Sequence, residues 1–286
     1  MTEVFKSPQA QGEVLALYRK VLASWPVPST QVRVPTSQGE TFVVACGPEG
    51  APPLVLLHGA QANAASWMFD AAVWSRCFRV FAVDLIGEAG LSAPSRPPLA
   101  GEDHAVWLEE VMNGLGVSRA PLVGLSLGGW VALDFAVRRP GRVERLALIC
   151  PAGIGRQKNF VLRAAPLFLL GPWGARKARE MVFGPAPREL PPAVQPLVAL
   201  MNLIGRSVTP RVVKIPRISD AALASLDLPI VAIVGGRDVL IDSAQTRDRL
   251  ERWAPRARVI FLPQARHFIP GQTATVLAFL QECAPA

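Results

Sequence analysis

Histidine is scarce in this chain. There are three among 286 residues, His58, His104 and His267. Few candidates are therefore available for a catalytic base, and no cluster of histidine and carboxylate stands at metal-ligand spacing, so no metal is expected. Cysteine is equally sparse: Cys46, Cys77, Cys150 and Cys283 show no paired spacing, which argues against a disulfide framework or a zinc motif. Cys46 and Cys150 fall in expected strands, where a thiol packs as a small apolar group. Long apolar runs are missing too. No stretch reaches the roughly 18 uncharged residues of a membrane span. The most apolar segment, Ala164 to Leu170, is short and follows Arg163. Met1 to Gly12 is polar, with Glu3 and Lys6, and lacks the apolar stretch of a secretory leader. These absences point to a cytoplasmic protein with reduced thiols.

Acidic residues are nearly absent from one region. Pro151 to Ser219 holds eleven Lys and Arg but only Glu180 and Glu189, a net +9 in a chain of formal charge +8. No aromatic interleaving or nucleic-acid motif accompanies this charge, so a nucleic-acid partner is not expected. A solvated face is one explanation; a field that draws anionic substrates is another.

Half of the chain is apolar, enough for one large core. Val14, Leu17, Tyr18, Val21, Leu22 and Trp25 recur at helical spacing, predicting an amphipathic helix over residues 10–25. Gln31 to Thr36 and Glu40 to Cys46 read as strands around a turn at Ser37-Gln38-Gly39. Leu54 to Leu57, Arg79 to Val83, Val143 to Cys150 and Pro229 to Val234 are continuous apolar runs of strands buried on both faces. Helices are expected over Glu102 to Leu115, Gly129 to Arg139, Ser243 to Trp253 and Thr273 to Gln281, and a last strand over Arg258 to Leu262. The alternation predicts an α/β fold with a mainly parallel sheet of eight-stranded type flanked by helices. Residues 153–220 break the rhythm with nine prolines and short helical pieces, Ala175 to Val182 and Val194 to Ile204. They read as an inserted helical cap. The expected organisation is thus an N-terminal helix docked on the core (1–30), a core (31–152 and 221–286) and a cap (153–220).

The chemistry centres on Gly124-Leu125-Ser126-Leu127-Gly128. This G-x-S-x-G lies between the strand Ala120 to Val123 and a helix, so Ser126 sits on a sharp turn with its hydroxyl projecting. An activated serine needs a base and the base an orienting acid. His267, on a loop after the last strand, follows the chain order Ser, acid, His. His58 ends a strand, and His104, on a helix beside acids, is expected at the surface. Asp238 follows a strand end in Gly235-Gly236-Arg237-Asp238; its rival Asp242 precedes a helix and suits its N-cap. The oxyanion hole calls for the backbone N–H of Leu127 and a second from the loop after His58-Gly59, with Ala60 first and Gln61 as the alternative.

Leu57-His58-Gly59-Ala60, Asp84-Leu85-Ile86-Gly87-Glu88-Ala89-Gly90-Leu91-Ser92, Gly124 to Gly129, Gly236-Arg237-Asp238 and His267 together resemble the α/β-hydrolase superfamily over the chain after Ser29. The Asp84 block departs from the commoner D-x-x-G-x-G-x-S by one inserted residue, Glu88-Ala89 standing for a single position. With the N-terminal helix ending at Trp25-Pro26, that variant looks like bacterial carboxylesterases of bulky aryl-propionate esters. The resemblance implies a serine carboxylesterase with no cofactor, acting on a small-molecule ester, neutral or anionic. It implies a cap inserted after Cys150, with Gln61, Trp67, Leu167, Trp173, Met201 and Phe268 as candidate pocket residues. Two alternatives use the same residues. One is a lactonase or C–C bond hydrolase for anionic substrates. The other, of a different class, is a non-catalytic receptor or regulatory protein.

Overall fold

The computed structural model describes residues 4–185, 189–211 and 213–282. Met1 to Glu3, Arg188 and Cys283, weighed above, lie outside the described residues. The chain opens with α1 (Pro8–Ala23). Ser7 caps it, its hydroxyl accepting the Ala10 N–H at 3.1 Å, and Pro8 takes the first turn, where no N–H is needed. Strands β1 (Ser29–Val34) and β2 (Thr41–Cys46) form an antiparallel pair. β3 (Pro53–Leu57) follows, then a 3-10 turn (Ala64–Trp67) running into α2 (Met68–Trp74). Next come β4 (Arg79–Val83), α3 (Asp103–Gly114), β5 (Ala120–Leu125), α4 (Leu127–Arg138) and β6 (Val143–Ile149). The proline-rich stretch carries α5 (Phe160–Phe168), α6 (Gly171–Phe183) and α7 (Gln195–Ser207). A short α8 (Asp220–Ala224) leads to β7 (Ile230–Gly235), α9 (Ser243–Trp253), β8 (Ala257–Leu262) and α10 (Thr273–Gln281).

All strands join one eight-stranded sheet in the order β1-β2-β4-β3-β5-β6-β7-β8. Only β2 runs against its neighbours; β4 through β8 pair in parallel. Parallel strands covered on both faces must be apolar throughout, and β3 shows how both faces are used. Leu54 and Leu56 enter one core cluster with Tyr18, Trp74 and Leu200, while Val55 and Leu57 enter the other with Trp107 and Trp130. The alternation follows from the two-residue repeat of a strand. Among the described residues no helix is long and apolar enough to cross a membrane.

The inserted helices are tied to the N-terminus as well as to the sheet. Leu200, Leu203 and Ile204 of α7 share a cluster with Val14 and Tyr18 of α1. The Lys6 N–H donates to the Ser207 carbonyl at 2.9 Å, and the Thr209 N–H to the Val4 carbonyl at 2.9 Å. One expectation needs correcting. His104 is buried, not superficial, and packs edge-on to Trp130 with ring centroids 5.6 Å apart. It stands three residues before Trp107 and seven before Val111, so it shares their inward stripe, whatever acids adjoin it in sequence. α5, which carries Pro166 inside it, was not singled out among the helical pieces of the insert; α2 and α8 were also unread, being only two turns or less.

Candidate active site

The register of the sheet assembles the site. Leu57 of β3 lies beside Gly124 of β5, and Leu125 beside Ile149 of β6. Ser126 therefore sits at the carboxyl ends of three parallel strands, in the crevice where such sheets bind ligands. Its backbone is strained, at φ 52°, a left-handed conformation rare outside glycine. The turn also explains its glycines. A Cβ on Gly124 would lie 2.5 Å from the Gly128 carbonyl oxygen, and one on Gly128 only 2.1 Å from that of Leu57. Ser126 is anchored by its N–H to the Ile149 carbonyl at 2.9 Å. The other two non-glycine residues at positive φ among those described, Gln61 and Cys150, lie on the neighbouring strand ends.

His267 comes to Ser126 from the loop after β8. Its Nε2 is 3.0 Å from the Ser126 Oγ, and its Nδ1 is 2.7 Å from Oδ2 of Asp238. The second carboxylate oxygen of Asp238 accepts the N–H groups of Leu240 at 2.7 Å and Ile241 at 3.0 Å. A carboxylate beside Nδ1 fixes the hydrogen there and leaves Nε2 free to accept from the serine hydroxyl. Asp238 and His267 are buried; Asp242, the rival acid, instead caps α9 through the Gln245 N–H at 3.1 Å. The three residues singled out by sequence are thus hydrogen-bonded in one line, able to pass the serine proton to the imidazole.

Cys150 was missed by the sequence reading as a neighbour of this line. Its thiol, Asp238 and His267 present ligand atoms within 4.8 Å of one another. Burial and the Asp238 charge push the thiol far above its usual range, so it stays protonated and is a poor metal donor. Nδ1 of His267 is already engaged, so the trio suits an acid–histidine pair better than a metal.

The opposite wall is the loop after β3, gripped by the segment after β4. The buried His58 accepts the Leu85 N–H on Nε2 at 2.9 Å, which sets its hydrogen on Nδ1, donated to the Gly59 carbonyl at 2.7 Å. Desolvation lowers its pKa to about 4, so it is a neutral strut. Asp84 accepts the N–H groups of Ala64 and Leu91, each at 2.7 Å, and the Tyr18 hydroxyl at 2.8 Å; burial pushes it up to about 6. Asn63 donates to the Ala89 carbonyl at 2.9 Å. Gln61 has its N–H committed to Glu88 Oε2 at 2.7 Å, whereas the N–H of Ala60, on an exposed residue, donates to no backbone carbonyl among the described residues. The Leu127 N–H opens α4 and lacks an intrahelical partner.

The remaining candidates are spread out. Phe268 follows His267, half exposed, with its ring 6.0 Å from Phe183 at the end of α6. The loop carrying His267 is held to α6 by Arg266, whose guanidinium donates to the Met181 carbonyl at 3.0 Å. Leu167 on α5 is partly exposed, Trp173 on α6 is half exposed, and Met201 on α7 packs partly buried against the core. Trp67 lies in the core beneath, its ring 6.0 Å from Trp74.

Comparison with known proteins agrees with this architecture. The family described as "Alpha/beta hydrolase family" matches residues 54–278. Carboxylesterase YbfK of Bacillus subtilis is 33% identical over 258 residues, covering 88% of this chain and 86% of its own. Its crystal structure superposes with a TM-score of 0.76 at 30% identity, covering 96% of this chain and 94% of that one. The crystal structure of naproxen esterase from the same organism gives a TM-score of 0.75 at 28% identity, covering 93% and 92%. The chain is homologous to these bacterial carboxylesterases and belongs to the alpha/beta hydrolase family.

Proposed function

We propose that the protein is a serine carboxylesterase working through an acyl-enzyme. The observation that carries this reading is the line Asp238–His267–Ser126, with contacts of 2.7 and 3.0 Å, ending on a strained serine. Ser126 Oγ attacks the ester carbonyl carbon while His267 Nε2 takes the hydroxyl proton. The carbonyl oxygen gains negative charge and is stabilised by the N–H groups of Leu127 and Ala60. Collapse expels the alkoxide, which leaves with the proton from His267. Water then attacks the acyl-enzyme, deprotonated by the same nitrogen, and Ser126 is released with its proton restored. Asp238 stabilises the imidazolium and holds its tautomer. No step needs a cofactor.

Residues 153–220 act as a cap over this serine, supported by the contacts of α6 with the His267 loop. Leu167, Trp173, Met201 and Phe268 contribute to an apolar acyl pocket, and the cap's positive charge favours anionic esters. The naproxen esterase relative favours bulky aryl-propionate acyl groups among the substrates to try. Free thiols at Cys46, Cys77 and Cys150 fit a reducing, cytoplasmic setting.

The test is hydrolysis of p-nitrophenyl esters from acetate to decanoate, with Ser126→Ala as control. Turnover lost in the variant supports the reading, and the chain-length profile sizes the pocket. A folded wild-type protein with no turnover on any of them overturns it.

A further inference from the structure

We propose that Glu88 is a positioning residue for the ester hydrolysis proposed above: its ionised carboxylate fixes the Gly59-Ala60-Gln61 turn and so aims the Ala60 N–H at the oxyanion. The inference rests on that reading. Its physical basis is a polar group in a costly place. Glu88 is 3% exposed, and its one bound oxygen accepts the Gln61 N–H at 2.7 Å. The other, Oε1, is buried without a partner among the described residues. A carboxylate so placed forfeits hydration that a neutral side chain would not, and an unpartnered buried oxygen calls for an explanation.

The bond it makes supplies one. Gln61 stands at φ 54°, a conformation that must be held by its surroundings. The residue before it carries the candidate donor. An ionised acceptor holds an N–H about twice as strongly as a neutral one, so the Glu88 charge is what pins Gln61 in its strained state. Its position follows from the extra residue in the loop after β4, where Glu88-Ala89 replaces one position of the commoner pattern.

The charge is also balanced. Arg96 and Arg211 exert a favourable field on Glu88, which limits the repulsion between its carboxylate and a nearby oxyanion. These arginines cross the seam between the core and the inserted helices. Arg96 donates to the Gly87 carbonyl at 2.8 Å and to the Thr209 carbonyl at 3.1 Å, and Arg211 donates back to the Pro97 carbonyl. Arg19 of α1 and Arg33 of β1 line the same cavity as Glu88, about 230 Å³ in volume. Despite the field of Arg96 and Arg211, burial raises the carboxyl to about 7, so it ionises near neutral pH.

The experiment compares wild type, Glu88→Gln and Glu88→Ala on a soluble p-nitrophenyl ester from pH 5.5 to 8.5. Labelling of Ser126 by a fluorophosphonate probe and thermal unfolding are measured in parallel. The ratio of wild-type to Glu88→Gln kcat cancels any pH dependence common to both enzymes. It is expected to be about tenfold at pH 8.5, a fraction of the 10²–10³ lost with a whole oxyanion donor. It should shrink toward one at pH 5.5, where Glu88 takes up its proton and matches the neutral glutamine; KM should stay unchanged throughout. Glu88→Ala should be slow at every pH.

Stability should move the other way. The folded carboxyl, at about 7, lies above its ordinary 4.5, so its stabilising contribution is present below 4.5 and lost as pH rises through 7. Glu88→Gln should therefore have the higher Tm at pH 8.5 while being the slower enzyme. A wild-type to Glu88→Gln ratio that is constant across pH, or equal activity throughout, overturns the assignment even if Ser126 is labelled normally. Failure of wild-type Ser126 to label or turn over any ester removes the esterase reading, and this inference with it.

Discussion

The strand-end rim that carries Ser126 and the inserted helices are built on opposite terms. The rim is strained and buried. Ser126, Gln61 and Cys150 all take positive φ, and Asp84, Glu88, Asp238 and His267 lie almost wholly out of solvent. Among the described residues, the buried side-chain oxygens and nitrogens of those four have hydrogen-bond partners, apart from one oxygen of Glu88. The insert shows the reverse. Leu169, Leu170, Trp173 and Phe183 are 49% exposed or more, and the exposed Arg156 and Arg176 make long ion pairs, at 3.6 and 3.9 Å, beside a shorter surface pair of Lys177 with Glu180 at 2.7 Å. Exposed pairs of that kind contribute little stability. The lesson is a division of labour. The rim holds its polar groups in fixed, strained geometry at a cost in stability; on the proposed reading the insert presents an apolar and cationic surface to the rest of the substrate.

The division is broken most severely at the serine. Ser126→Ala should reduce kcat by about 10⁶ while leaving Tm within a degree or two, since the hydroxyl bears no packing. Unchanged hydrolysis would move the nucleophile elsewhere. Asp238→Asn should cost about 10⁴ in kcat, because an amide donating to Nδ1 selects the wrong imidazole tautomer. Asp242→Asn should leave kcat intact, since an asparagine caps a helix about as well as an aspartate. A reversal of those two results would exchange the acids.

The rim was legible in the sequence because local signals mark it. Buried parallel strands such as Leu54 to Leu57 and Ile230 to Val234 are unbroken apolar runs, and Ser126, Asp238 and His267 each follow a strand within five residues. What was illegible depends on adjacency between distant segments. Gln61 and Glu88 meet only because β3 and β4 are neighbours in the sheet. The Glu88 insertion was visible as a departure from the pattern, but its partner was not. His104 was misjudged because the acids beside it were weighed above the helical stripe it belongs to. The insert was harder still. α5 was not singled out, and which face of a short helix looks at the serine depends on packing that no local pattern encodes.

Substitutions in the insert should therefore change preference rather than chemistry. Trp173→Ala and Met201→Ala are expected to lower kcat/KM for decanoate by about tenfold, the scale of one or two lost methylene contacts. Acetate, too short to reach the cap, should be hydrolysed at the wild-type rate. An equal loss on acetate and decanoate would mean that these side chains support the rim, and the division between the two regions would fail.

The smallest effect tests the cap's charge. Residues 151–219 carry a net +9, and a cleft edged with one sign of charge raises the local concentration of the opposite one. At about 0.1 M salt the Debye length is roughly 10 Å, and at 1 M about 3 Å, so such steering fades as salt is added. Ester pairs that differ by one remote carboxylate separate this field from contact. Between about 0.05 and 0.5 M salt the anionic member should lose about threefold in kcat/KM, through KM or the association rate, and the neutral member should hold its value. The same pair isolates the source: Arg176→Gln with Lys177→Gln should flatten the anionic response without altering the neutral ester. Were both esters to respond alike, the positive face would be a solvated surface with no part in substrate choice, and the insert's contribution would rest on its apolar residues alone.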